Sequence, residues 1–151
     1  MLIENYGVTP RSSMKIQKNY LIKDLSLKTG LSTDTIRFYE KKNLLQPTFR
    51  GSNNYRYYDE KTLNKLIFIK RCRALEISLN EITHLLELEQ NPAQSCSAVN
   101  KLIDDHIQQV SDKINELKKF QTQLIELRST CNTDSRIDDC QILKQLEAKS
   151  S

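Results

Sequence analysis

Residues 19–45 read NYLIKDLSLKTGLSTDTIRFYEKKNLL, and this stretch predicts two short helices that enclose a tight turn. Gly30 is placed to close the first helix, and Ser32 is placed to cap the second. Apolar residues recur in both helices: Leu21, Leu25 and Leu27 in the first, and Ile36, Tyr39 and Leu44 in the second. Two short helices joined in this way are typical of a helix-turn-helix.

A β-hairpin is predicted directly after the helix pair, in the segment QPTFRGSNNYRYYD. Pro47 is expected to end the second helix, and the aromatic residues on both sides of Gly51-Ser52-Asn53-Asn54 favour strands around that turn. Arg50 and Arg56 then lie beside the turn. The hairpin would form a wing next to the helix pair.

Two further helices follow the wing. Asp59 can cap a helix that runs through Leu75, with its inward residues at Leu63, Leu66, Ile67 and Ile69. The sequence SLNE, from Ser78 to Glu81, is a capping box that opens another helix, which ends near Asn91-Pro92.

A long helix is predicted from about Ser95 to Arg128, because this stretch contains no glycine or proline. Apolar residues recur from Val99 to Cys131 in steps of three or four and so form a stripe along one side of the helix. The average step lies between the 3.5 residues per turn of a coiled coil and the 3.6 of a straight helix. So short a chain has little left to cover this stripe, and we expect a second copy to cover it in a homodimer. The alternative is that the helix packs back onto its own domain.

Charge divides the 151-residue chain into two halves. Residues 1–75 hold 15 Lys and Arg against 6 Asp and Glu, whereas residues 76–151 hold 8 against 13. A basic first half suggests a polyanionic partner, and the alternative is a pattern that serves solubility. No membrane span or signal peptide is predicted, so we expect a cytoplasmic protein. In that reducing compartment the four cysteines are expected to be metal ligands, redox groups or core residues.

The motifs TIRFYEKKNLL, NNYRYYD and LIFIKRCRALEISLNEI, followed by a long helix bounded by cysteines, closely resemble the MerR family of bacterial transcriptional regulators. The resemblance covers roughly residues 20–146 and points to the cadmium- and lead-responsive branch. It implies a mainly α fold in which a winged helix-turn-helix DNA-binding domain precedes an antiparallel coiled-coil dimerisation helix and a C-terminal metal-binding loop. It also implies that a homodimer binds double-stranded promoter DNA and distorts it for RNA polymerase when metal binds.

Domain boundaries are predicted from these patterns together with the resemblance. Residues 1–15 would be a disordered arm or extra N-terminal sequence, 16–90 the DNA-binding domain, and 95–130 the dimerisation helix. The metal-binding loop and a short terminal helix would take residues 131–146, and a tail would take 147–151.

DNA contacts are expected from the second helix and the wing. Arg37 can read a base in the major groove, and we expect Thr35 and Tyr39 near it on the exposed side of the helix. The wing supplies side chains of the type that binds phosphates: Arg50, Asn54, Arg56 and Tyr58.

Three cysteines form the candidate metal site. Cys96 and Cys131 are 35 residues apart on one helix, about 50 Å, so they cannot share a metal within one chain. In an antiparallel dimer, Cys96 of one subunit would meet Cys131 and Cys140 of the other. Three thiolates suit soft divalent ions such as Pb(II), Cd(II) and Hg(II).

The resemblance also bears on which metal binds. The spacing of 35 and then 9 residues resembles the mercury and lead sensors of the family, whereas its copper(I) sensors carry serine at the place of Cys96. Its zinc sensors have a doubled cysteine and a histidine in the loop. Here Asn132 follows Cys131 and the loop has no histidine, so zinc is less favoured.

Other chemistry is less well supported by the sequence. Cys131 and Cys140 could form a reversible disulfide in a thiol redox sensor. A thiol enzyme is a remote alternative, because the chain has no Cys-X-X-Cys and no nucleotide-binding glycine motif. Cys72, His84 and His106 are interpreted as packing or surface residues.

Overall fold

The structure is a computed structural model that describes residues 17–148. The arm predicted over residues 1–15 lies outside the described residues, as does the end of the predicted tail. The elements follow in this order: α1 Ile22–Thr29, α2 Thr33–Lys41, β1 Phe49–Arg50, β2 Arg56–Tyr57, α3 Glu60–Ala74, α4 Leu79–Glu89, α5 Ser97–Ser129, a 3₁₀ turn Ile137–Asp139 and α6 Gln141–Glu147. The predicted mainly helical class, with a winged helix-turn-helix, is confirmed.

Helices α1 and α2 are joined as the capping residues predict. Gly30 has a φ of 73° and donates its N–H to the Ser26 carbonyl at 2.8 Å. Ser32 accepts the Thr35 N–H at 3.1 Å and so caps α2. One apolar prediction in α1 is wrong, because Leu27 is 84% exposed. Residues two apart on a helix point to nearly opposite sides, so Leu27 cannot share the buried side of Leu25.

Helix α2 ends earlier than Pro47, which corrects the predicted end. The helix stops at Lys41, and Asn43 then adopts the left-handed conformation with a φ of 58°. The Leu44 N–H donates to the Tyr39 carbonyl at 3.0 Å, which closes the last turn. Leu44 and Leu45 are therefore buried beyond the end of the helix, not on it.

The predicted wing is confirmed as an antiparallel pair of two-residue strands. Phe49 lies opposite Tyr57, and their rings stack with centroids 5.0 Å apart. Arg50 lies opposite Arg56. The base of the wing is fixed by two backbone hydrogen bonds between Tyr58 and Tyr20, at 2.7 and 2.8 Å.

Helices α3 and α4 complete the core that α1, α2 and the base of the wing begin. Asp59 accepts the Thr62 N–H at 2.9 Å, and Ser78 and Glu81 form the predicted capping box. The largest fully buried side chains are Tyr58, Leu25, Ile36, Leu45, Leu66, Ile69 and Ile82. Cys72 is also buried in α3, which confirms its interpretation as a packing residue. Ile67 was predicted to point inward and is half-buried.

The described chain divides into two compact units between Glu87 and Leu88. The second unit contains α5, whose 33 residues confirm the predicted long helix, and α6. Large apolar side chains stay exposed along α5: Ile103, Ile107, Val110, Ile114, Leu117, Phe120 and Leu124. We call these seven residues the apolar stripe. None of the described helices is long and apolar enough to cross a membrane.

Candidate functional site

A cleft of about 1020 Å³ opens between the start of α1, helix α2 and the wing. Its charged lining residues are almost all basic: Lys23, Arg37, Lys41, Arg50 and Arg56, with Glu40 as the acid. So many cations on one concave surface create a field that attracts a polyanion such as duplex DNA. The cleft therefore gathers five of the 15 Lys and Arg residues of the first half of the sequence.

Two of the predicted DNA-contacting residues, Arg37 and Thr35, lie two positions apart on α2 and so point to nearly opposite sides of the helix. The Arg37 side chain is 56% exposed and makes an exposed ion pair with Asp34 at 3.5 Å. Exposed pairs of this kind hold weakly, so the guanidinium can exchange Asp34 for a base or phosphate. Thr35 is half-buried, and its hydroxyl shares a 2.8 Å hydrogen bond with Ser32. The roles of Arg37 and Thr35 in DNA binding stay predictions.

Two predicted DNA-contacting tyrosines lie in the core instead, which corrects the expected exposure of both. Tyr39 is 6% exposed, because it lies three residues after the buried Ile36 and two after Arg37, and so faces inward. Tyr58 is 0% exposed, and its hydroxyl donates to Glu40 Oε1. Burial, followed by the bond to Glu40, raises the pKa of Tyr58 well above its usual range. The Tyr58 hydroxyl is therefore a protein-facing donor and does not reach the surface.

The two arginines of the wing lie directly opposite each other across the strands, an arrangement in which like charges repel. Each is held by a different partner. Arg50 Nη1 donates to Asn54 Oδ1 at 3.3 Å, within the turn. Arg56 Nη1 donates to Glu40 Oε2 at 2.7 Å, on helix α2. Both residues are exposed and line the cleft, and each guanidinium has more N–H donors than the one bond it makes here uses.

Glu40 was missed as a site residue in the sequence. Its partners Arg56 and Tyr58 lie 16 and 18 residues further along the chain, and no local pattern connects them. The available signal was its position, because Glu40 is an acid that interrupts the basic sequence between Arg37 and Lys41-Lys42.

Two of the three predicted metal-ligand cysteines are brought together. Cys131 lies just beyond the end of α5, and Cys140 is the residue that precedes α6. The Leu143 N–H and then the Ile142 N–H, together with the nearby Cys131 thiol and Lys144, hold the pKa of the Cys140 thiol below its usual value. Both thiols are free and half-buried. Two adjacent thiols of this kind are the donors that soft divalent ions prefer.

Cys96 is not part of this pair. It is exposed and immediately precedes α5, so the 33 residues of that helix, about 50 Å, separate it from Cys131. Among residues 17–148, no three His, Cys, Asp or Glu side chains of one chain gather as a metal site. A three-thiol site would need a second chain, and it stays a prediction. His84 is exposed, as its interpretation as a packing or surface residue allows.

Comparison with known proteins identifies the family. One family model, described as "MerR HTH family regulatory protein", matches residues 20–89, and another, described as "MerR, DNA binding", matches residues 63–127. A transcriptional regulator of Haemophilus influenzae, a ZntR homolog, is 44% identical over 66% of this chain and 73% of its own length. The regulator CueR of Salmonella typhimurium is 34% identical over 83% of this chain and 90% of its own.

A solved structure agrees in fold. The transcription regulator PbrR691 from Ralstonia metallidurans CH34, in complex with lead(II), is 40% identical to this chain. The two superpose with a TM-score of 0.75 over 84% of this chain and 98% of PbrR691. The chain belongs to the MerR family of helix-turn-helix transcriptional regulators.

Proposed function

We propose that the protein is a metal-responsive regulator that binds promoter DNA as a homodimer and activates transcription when a thiophilic divalent ion binds. The observation that carries this proposal is the Cys131–Cys140 thiol pair at one end of α5, with Cys96 at the other. The first unit supplies the basic cleft for DNA, and the second supplies the thiols. The cytoplasm, where promoter DNA lies, is the proposed compartment.

The dimer is supported by the apolar stripe. Phe120 is 49% exposed and Leu117 56%, which is far more than a helix of this length leaves uncovered in a stable assembly. A second, antiparallel copy of α5 would cover the stripe in a coiled coil. The same pairing would carry the partner's Cys96 to Cys131 and Cys140.

A soft divalent ion fits the donors that the chain offers. The three residues that would hold it are Cys96, Cys131 and Cys140, and none of the three ligands would be a histidine. We propose Pb(II), Cd(II) or Hg(II) as the effector, which the lead(II) complex of the similar PbrR691 supports. Bound to three thiolates, the ion would link the two subunits and offset two of the three negative sulfur charges.

Metal capture would act on DNA shape more than on DNA occupancy. Both states keep the basic clefts, so the electrostatic part of binding survives loss of the metal. The energy needed to distort the promoter for RNA polymerase must come from tighter metal binding to one of two dimer conformations.

The test combines gel-shift titration with run-off transcription, each with and without Pb(II), Cd(II) and Hg(II). For Cys96→Ser we expect operator affinity within about 1 kcal/mol of wild type and complete loss of induction, because serine cannot replace a soft thiolate. Cys72→Ala is the matched control, since Cys72 is buried in the first unit and should leave induction intact. Release of the protein from DNA by metal would contradict the distortion mechanism.

A thiol redox regulator is the second candidate, because the free Cys131 and Cys140 thiols already lie together. In that case oxidation of the pair to a disulfide would switch transcription and metal ions would not. Induction by a mild disulfide oxidant in metal-free buffer, lost in Cys140→Ser and kept in Cys96→Ser, would favour this candidate.

A further inference from the structure

Glu40 is the one acidic side chain among the described residues that line the basic cleft. A carboxylate beside bound phosphates opposes binding of a polyanion, because it cancels part of the positive field that attracts DNA. We therefore expect a favourable contribution of Glu40 to DNA binding that offsets this loss of attraction.

The contacts of Glu40 show what it does in the free protein. Its Oε2 accepts Arg56 Nη1 at 2.7 Å, and its Oε1 accepts the Tyr58 hydroxyl. The Glu40 side chain is only 11% exposed. Because Tyr58 is fully buried and its pKa is raised, the phenol stays a proton donor throughout the physiological range. Both carboxylate oxygens are therefore engaged by residues of the wing and its base.

These bonds join the wing to helix α2. The base of the wing is held elsewhere, by the backbone bonds of Tyr58 to Tyr20 and by the Asp59 N–H bond to Thr48 Oγ1 at 2.9 Å. The Tyr58–Tyr20 bonds attach the wing to the segment before α1. The Asp59–Thr48 bond joins the residue that follows the wing to the residue that precedes it. Glu40 adds a rigid link from the helix that carries Arg37.

Arg56 is the group through which this link reaches the cleft. Its side chain is 43% exposed, and a guanidinium has donors left after Nη1 binds Glu40. Arg50 stands opposite it on β1, so an unheld Arg56 would be pushed away by a like charge. The carboxylate counters this repulsion and sets the direction of the remaining donors.

We propose that Glu40 is a positioning residue for DNA recognition, which holds Arg56 and the wing at a fixed setting relative to α2. This inference rests on the proposed DNA interface. Glu40 itself does not contact DNA. Its negative charge lowers the affinity of the cleft for any phosphate backbone. With the wing held in this position, the cleft binds well only a duplex whose backbone contacts both Arg56 and the exposed side of α2.

The experiment uses full-length protein and two duplexes, one selected by the wild type from a random-sequence library and one shuffled to the same composition. Binding is followed by fluorescence anisotropy from about 50 to 200 mM salt. For Glu40→Gln we expect a loss of about tenfold on the selected duplex. On the shuffled duplex we expect no loss, or a gain of up to about threefold at low salt, because one negative charge is removed.

Glu60→Gln is the matched control. Glu60 also accepts a tyrosine hydroxyl, that of Tyr20 at 2.6 Å, but it is not among the residues that line the cleft. We expect this variant to keep the wild-type preference. In an Arg56→Gln background, Glu40→Gln should cost nothing further on the selected duplex, because the group it positions is gone.

Three outcomes would overturn the inference. Equal losses of affinity on both duplexes would mean that Glu40 only stabilises the fold, and an unchanged affinity for both duplexes would mean that it positions nothing. The Arg56–Glu40 bond should slow rotation of the Arg56 guanidinium in the NMR spectrum of the free wild type, and equally slow rotation in Glu40→Gln would show that Glu40 does not hold Arg56. A wild type without preference for any duplex would instead remove the proposed DNA interface itself.

Discussion

Cys72 and Cys140 show how the position of a residue controls the chemistry of one side chain. Cys72 lies among the buried residues of α3, and burial raises the pKa of its thiol. Cys140 precedes α6, where the Leu143 N–H stabilises its thiolate and lowers its pKa. Unpaired N–H groups at a helix start favour negative charge in this way.

We therefore expect Cys140 to react with iodoacetamide at lower pH than Cys72. A lowered pKa means that the Cys140 thiolate is present above that pKa and is lost only as the pH falls through it. Leu143→Pro removes the N–H donor within the first turn, where proline is tolerated, and should move the Cys140 profile to higher pH. Leu143→Ala keeps the donor and is the control. Mass spectrometry of peptides alkylated across a pH series gives the profiles, and identical profiles in both variants would reject this origin of the shift.

The wing shows how few residues can define an element. Each strand has two residues, so backbone pairing contributes little, and the stacked rings of Phe49 and Tyr57 fill one side. A Cβ at Gly51 would lie 2.7 Å from Tyr57 Cε2 and 2.8 Å from Asn53 Oδ1. The turn can therefore close over the Tyr57 ring only because position 51 has no side chain.

Gly51→Ala should distort the wing without unfolding the first unit. The new methyl must displace a ring that is stacked on Phe49, and we expect strain of about 1–3 kcal/mol, confined to the wing. Affinity for duplex DNA should fall, and the melting temperature should drop by only the several degrees that strain of this size accounts for. Ser52→Ala, in the same turn, is the control. A large drop in melting temperature at unchanged DNA affinity would contradict this assignment of the strain.

Sequence reasoning was reliable where neighbours along the chain determine the structure. Gly30, Ser32 and Asp59 act through residues a few positions away, and so their capping roles could be predicted. Tyr58 could not be placed, because its hydroxyl meets a carboxylate 18 residues away in the chain. The spacing of Tyr39 from Ile36 predicted its burial, whereas its expected place beside Arg37 on the exposed side was wrong. Leu27 was placed on the buried side although its helical angle to Leu25 excludes this.

At the scale of the molecule, the separation of Cys96 from Cys131 was predictable, because helix length follows from residue count. The approach of Cys131 and Cys140 was less so. It depends on a loop and the 3₁₀ turn Ile137–Asp139, which fold back to begin α6 beside the end of α5. A polar loop of this kind carries no periodic signal.

A shared metal site predicts complementation between inactive subunits. Cys96→Ser homodimers and Cys131→Ser/Cys140→Ser homodimers should each fail to bind metal tightly. Mixed heterodimers should regain one complete site, because one end receives all three wild-type thiols and the other receives none. Thiolate-to-metal absorption during titration with Pb(II) measures the number of sites. If mixing restores no site, each subunit binds metal alone or not at all, and the shared arrangement is wrong.

The exposure of the apolar stripe on α5 makes the amount of working regulator a matter of mass action. If the proposed dimer covers the stripe, the concentration of covered dimer falls as the square of the free chain concentration when the protein is dilute, and the covered fraction falls in proportion to that concentration. A cell with few copies would hold a larger share of chains with an open stripe, which are targets for proteolysis and non-specific association. The cellular concentration of the protein would then affect the level of induction as directly as the concentration of the metal does.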